Sequence, residues 1–143
     1  MSKVSTILGR KSKGAFTSPP GITVYEALQT MADKNIGAIV VADEAKYLGI
    51  MTERDYARKV ILQGKHSSDT KVDEIMSTDL PTLNPTDSLE RCMQLMSEHN
   101  VRYLPVFDGD AFAGVISVSD VVNETIRQQK ETINHLQDYI HGQ

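Results

Sequence analysis

The sequence predicts an α+β fold of two pseudo-symmetric β-α-β-β-α repeats with an extended C-terminal helix. Three observations predict it. Slid by 65 residues, Thr23 to Tyr56 lies on Ser88 to Val121 without a gap: Gln29 meets Gln94, Asn35 meets Asn100, Val41 meets Val106 and Gly49 meets Gly114. Within each copy, helical spacing of apolar residues gives way to two strand-like runs in the same order. Both copies then close on one motif, Gly49-Ile50-Met51-Thr52-Glu53-Arg54-Asp55 and Gly114-Val115-Ile116-Ser117-Val118-Ser119-Asp120. Each reads as a glycine, two apolar residues, a hydroxyl residue, two variable positions and an aspartate.

Short strands are expected at Ala15-Phe16-Thr17 and Leu80-Pro81-Thr82-Leu83, each before a proline-containing turn. Thr23 and Ser88 are N-cap candidates, and Glu26 three residues on completes a capping box for the first only. Val24, Ala27, Leu28, Met31 and Leu89, Cys92, Met93, Met96 give each helix one apolar stripe. Asn35 and Asn100 stand where the helices should stop, since asparagine tolerates a left-handed C-terminal conformation. Strands then run from Ala38 to Ala42 and Tyr47 to Met51, and from Tyr103 to Phe107 and Phe112 to Ile116. The second helix of each copy starts at the hydroxyl residue. A lead-in repeats as well, Val4 to Leu8 matching Val72 to Met76 at an offset of 68. The division by sequence is 1–70 for the first repeat with its lead-in, 71–127 for the second and 128–143 for a helical extension. In that extension Ile126, Ile133, Leu136 and Ile140 continue an apolar stripe beyond what a repeat needs, which predicts packing against a partner subunit.

Composition narrows the function classes. The 143 residues are 40% hydrophobic and 24% charged, as in globular chains, which argues against disorder. A net charge of -4 gives no general attraction to nucleic acid or anionic membrane. No signal peptide or apolar run of about 18 residues is present, and the single cysteine fits a reducing compartment, so a cytoplasmic location is expected. Cys92 lies on an apolar stripe and reads as core. His66, His99, His135 and His141 show no metal-ligand spacing. Arg54, Arg58, Lys59, Lys65 and His66 form a basic run of the kind usually found on a solvated helix face. Methionines 31, 51, 93 and 96 read as core filler.

On the repeated motif, on Tyr103-Leu104-Pro105-Val106 and on Met76-Ser77, the chain resembles a stand-alone tandem pair of cystathionine-β-synthase (CBS) domains, the Bateman module. The resemblance covers essentially the whole chain. It implies a non-catalytic regulatory sensor that binds an adenosine-containing ligand (AMP, ATP, NAD or S-adenosylmethionine) between the repeats. It further implies a homodimer and an unidentified regulated protein, with no membrane partner, no catalytic cofactor and no metal.

Chemistry assigns residues to that implied ligand. A carboxylate accepts hydrogen bonds from two vicinal ribose hydroxyls, which points to Asp55 and Asp120. Thr52 and Ser117, beside helix N-terminal amides, suit phosphate. Arg54, Arg58 and Arg102 suit phosphate as cations. Ala38, Ile50, Leu104, Pro105 and Val115 are placed to flank the base. The family often carries a basic, phosphate-contacting residue at the position of Arg102, whereas the first repeat has Gly37 there, so the two sites are not equivalent. The same Thr/Ser-x-x-Asp pattern is also a helix-capping signature needing no ligand. Two points favour a ligand: both copies carry Asp rather than the longer Glu or Gln, and both follow the strand that ends the sheet. A nucleotide-hydrolysing enzyme would need a nucleophile–base pair, a metal motif or a glycine-rich phosphate loop, none of which is recognisable. A nucleic-acid-binding module using the Arg54–His66 run lacks interleaved aromatics.

Overall fold

The computed structural model describes residues 2–11 and 14–140. In chain order the elements are α1 (Val4–Arg10), β1 (Thr17–Ser18), α2 (Val24–Lys34), β2 (Ala38–Asp43), β3 (Lys46–Thr52), α3 (Glu53–Lys59), α4 (Val72–Ile75), α5 (Leu89–His99), β4 (Tyr103–Asp108), β5 (Ala111–Ser117) and α6 (Val118–Ile140). This is the expected α+β repeat. In the first copy β1 pairs parallel to β2, and β2 pairs antiparallel to β3. In the second, β4 and β5 pair antiparallel and the counterpart of β1 shrinks to a single parallel bridge from Leu83 to Val106.

Local signals act where the sequence puts them. Thr23 and Ser88 cap α2 and α5 through their hydroxyls, accepting from Glu26 N–H and Arg91 N–H at 3.1 Å each. The Thr23 box is only half made, because the Glu26 carboxylate takes the Thr23 hydroxyl. Asn35 and Asn100 end the two helices at φ 54° and 51°, the left-handed conformation that frees a terminal carbonyl to be capped.

Packing divides the chain differently from the repeats. One compact unit is Gly14–Leu80; the other joins Met1–Lys13 to Pro81–Gln143. The packed units are cut differently from the 1–70 and 71–127 repeats because each lead-in helix packs with the other repeat. Val72 and Ile75 of α4 enter the core built on Val24, Met31, Ile39, Val41 and Met51. Val4 and Ile7 of α1 enter the core built on Leu89, Cys92, Leu104, Val106 and Ile116. Helix α6 runs without interruption from the second repeat into the extension as far as Ile140, and residues 141–143 lie outside the described residues.

The core assignments hold with one exception. Cys92 is fully buried, and burial together with the nearby Asp87 charge pushes its thiol up to about 11. Met31, Met51 and Met96 are buried, but Met93 is exposed and Leu95 fills the core-facing place in α5. Leu95 lies three residues after Cys92 and so completes the helical stripe better than its neighbour.

Helix α1 is tied to α6 by a buried carboxylate. Glu124 is 3% exposed; its Oε2 accepts from Ser2 Oγ at 2.6 Å and its Oε1 from Arg10 Nε at 2.8 Å. Burial works to raise its pKa, but the Ser2 and Arg10 hydrogen bonds and the charges of Arg10 and Arg127 outweigh it, so Glu124 is held below its ordinary value of 4.5. A carboxylate depressed by folding stabilises fully above its unfolded pKa, and that contribution is lost as pH falls through the folded value. Wild type should thus be more stable than Glu124→Gln at neutral pH, with the gap closing below pH 4.5. Thermal melts of both proteins across that range measure it; a gap that does not narrow would remove the assignment.

Candidate functional site

The two motif turns are built alike. Each glycine sits where the lead-in from the other repeat crosses the strand. A Cβ on Gly49 would lie 2.7 Å from the Ser77 carbonyl oxygen, and one on Gly114 would lie 2.8 Å from Leu8 Cδ2. The following strand ends at the hydroxyl residue, and the helix starts at once. Glu53 N–H donates to the Gly37 carbonyl at 3.1 Å, and Val118 N–H donates to the Arg102 carbonyl at 3.0 Å. Gly37 and Arg102 are therefore true positional counterparts.

Both aspartates close complete capping boxes. Asp55 Oδ2 accepts Thr52 N–H at 3.0 Å while Thr52 Oγ1 accepts Asp55 N–H at 3.0 Å. Asp120 Oδ2 accepts Ser117 N–H at 2.9 Å while Ser117 Oγ accepts Asp120 N–H at 3.1 Å. The presence of Asp in place of Glu or Gln thus does not by itself point to a ligand: a carboxylate one methylene shorter than glutamate spans the gap.

Beyond the cap, the turns diverge. Asp55 Oδ2 also accepts the Thr52 hydroxyl at 3.1 Å, while Oδ1 accepts from Ser77 Oγ at 2.9 Å and meets Lys59 Nζ at 2.9 Å. Both oxygens are engaged, and the side chain is 8% exposed. Asp120 is 21% exposed and meets Lys11 Nζ at 2.7 Å through Oδ2 alone. Its Oδ1 has no partner among the described residues. The Ser117 hydroxyl likewise donates to none of them. The lead-in offset explains the difference: Gly9 stands where the first turn receives Ser77, and Lys11 stands opposite Asp79.

The remaining sequence candidates separate by exposure. Arg58 and Arg102 are exposed, and Arg54, Ala38 and Val115 are half-buried. Val115 lends its carbonyl to Lys11 Nζ at 2.7 Å. Ile50 and Leu104 are fully buried and Pro105 is buried, so as they stand these three present no face to a base. In the fold, Ile50 exchanges backbone hydrogen bonds with Ser77 and Pro105 accepts one from Leu83. Sequence reasoning missed Lys11 and Ser77, whose contacts span most of a repeat and leave no local signal. It placed Lys59 on a solvated face, although its i,i+4 spacing from Asp55 marks an ion pair. A separate open cavity of about 310 Å³, lined by Tyr25, Tyr56, Ile61, Lys65, His66, Ser67 and Ser68, contains none of the candidates. Among the described residues, no group of three His, Cys, Asp or Glu could hold a metal ion, and no helix is long and apolar enough to cross a membrane.

The family model for the CBS domain matches twice, at residues 10–62 and 72–127. The chain belongs to the CBS-domain family. A CBS-domain protein of Bacillus subtilis, YhcV, is 36% identical over 83% of this chain and 88% of its own length. The mitochondrial CBS-domain protein CBSX3 of Arabidopsis thaliana is 39% identical over 84% of this chain, which spans only 61% of the plant protein. Among solved structures, a candidate signal-transduction protein with CBS domains from Burkholderia ambifaria is 43% identical with a TM-score of 0.84, covering 90% of this chain and 96% of that one. A hexameric CBS-CP12 protein from bloom-forming cyanobacteria is 28% identical with a TM-score of 0.72, over 85% of this chain and 70% of its own. The tandem CBS pair read from the sequence is thus established.

Proposed function

We propose that this CBS pair is a cytoplasmic, non-catalytic sensor that binds an adenosine nucleotide at the Gly114–Asp120 turn and signals to a partner protein. One observation carries the reading: among the described residues Asp120 Oδ1 has no partner and the side chain is 21% exposed, whereas both oxygens of Asp55 are engaged. A carboxylate so held accepts a hydrogen bond from a sugar hydroxyl without giving up its cap. The Ser117 hydroxyl beside it has a proton to donate. Lys11 and Arg102 supply positive charge at the Asp120 turn, where the Asp55 turn has Asp79 (by the lead-in offset) and Gly37 at the matching positions. One strong site and one weak site follow. The description of the Burkholderia relative as a candidate signal-transduction protein supports a regulatory output. Bound ligand would shift a conformational equilibrium only by its difference in affinity for the two states.

Calorimetry on ligand-stripped protein with AMP, ATP, NAD and S-adenosylmethionine tests the proposal. At least one should bind at a single dominant site, with no phosphate release on incubation. If none binds at millimolar concentration, the reading fails; turnover would replace it with an enzymatic one.

A further inference from the structure

Helix α6 presents two faces with opposite fates. Glu124 and Val121 are buried toward their own unit, against α1 and the core of that unit. On the opposite side Val122, Ile126, Ile133, Leu136 and Ile140 are all exposed. With Gln129 these residues fall at alternating spacings of four and three, so Ile126, Ile133 and Ile140 occupy heptad position a and Val122, Gln129 and Leu136 position d. From Gln129 to Ile140 every residue is exposed, so this stretch has no support from its own unit. A helix of about 12 residues standing alone is marginal in water.

We infer that α6 forms a parallel, in-register two-stranded coiled coil with α6 of a second copy of this chain. The choice of occupant rests on the seam itself. Isoleucine at all three a positions, with Leu136 at one d position, fits the pattern of two parallel strands. Parallel pairing sets Gln129 against its own copy, where the two amides satisfy each other. Antiparallel pairing in the register that keeps Val122 on Ile140 and Ile126 on Leu136 would set Gln129 against Ile133 and bury an amide without a partner. Charge agrees. The acids Glu124, Glu131 and Asp138 all fall at position f, away from the seam. The flanking g and e positions carry Thr125 and Thr132 against Lys130 and Gln137, so no like charges meet across the pair.

Sedimentation of the full chain over a concentration series should show a monomer–dimer equilibrium. Ile133→Asp with Leu136→Asp should leave a folded monomer whose melting temperature no longer depends on protein concentration, because these side chains are 53% and 57% exposed in the single chain. Leu136→Cys under mild oxidation should give a covalent dimer, since like d positions face each other only in parallel register. A wild type that stays monomeric, a dimer that survives the double aspartate substitution, or a Leu136→Cys protein that does not cross-link would each overturn the inference.

Discussion

Asp120→Ala weakens nucleotide binding by roughly 100-fold, the loss expected for two charge-assisted hydrogen bonds, and lowers stability by only about 1 kcal/mol for the lost cap. Asp55→Ala does the reverse. It strands the Ser77 hydroxyl and the Thr52 amide around a buried site, and should cost about 2–4 kcal/mol with little direct effect on affinity. The Lys59 pair adds little to that figure, because its side chain is 45% exposed. Arg102→Ala should weaken binding about 10-fold, as expected for one exposed phosphate contact, and leave the melting temperature in place. Titration calorimetry and thermal melts on the same preparations separate the two quantities. Equal losses of affinity at both aspartates would mean that the turns are equivalent after all, and the Lys11–Asp79 contrast would carry no functional weight.

Gly49→Ala unfolds the protein at markedly lower temperature. The added methyl would stand 2.7 Å from a backbone oxygen that cannot swing aside, because Ser77 and Ile50 exchange hydrogen bonds of 2.8 and 3.0 Å there. Relief requires opening that bridge and, with it, the Ser77–Asp55 bond, a loss of about 3 kcal/mol or on the order of 10 °C for a chain of this size. Gly114→Ala differs in kind. Its steric contact is a Leu8 methyl that can rotate, and the larger part of the cost is backbone strain at φ 153°. Adding Leu8→Ala relieves the first part only. Differential scanning calorimetry of the three variants distinguishes a packing defect from a conformational one.

The pattern of elements was legible because it is local. Helix stops at Asn35 and Asn100, strand alternation and the hydroxyl caps each rest on residues within a turn of one another. Even the Gly37–Arg102 contrast survives as geometry, through the matching bonds from Glu53 and Val118. Partners contributed from far along the chain were not legible. Ser77 satisfies Asp55 and Lys11 pairs with Asp120 only because the lead-ins cross to the other repeat, and a repeated sequence does not record which copy it packs on. The apolar strand residues were legible as strand and no further. Period-two alternation marks Ile50 and Leu104 as facing one side of a sheet, but does not say whether that side is left open to a ligand.

The crossed lead-ins also impose an order on biosynthesis. As the chain leaves the ribosome, α1 emerges first, yet the residues that bury Val4 and Ile7 come from Leu83 onward. The Gly14–Leu80 unit, by contrast, holds all of its own core once α4 has appeared. The natural sequence of events is that the middle of the chain condenses while the first helix waits unpartnered, and α1 docks only when the last strands arrive. Premature release before that point would leave a finished inner unit with both flanking segments unfolded.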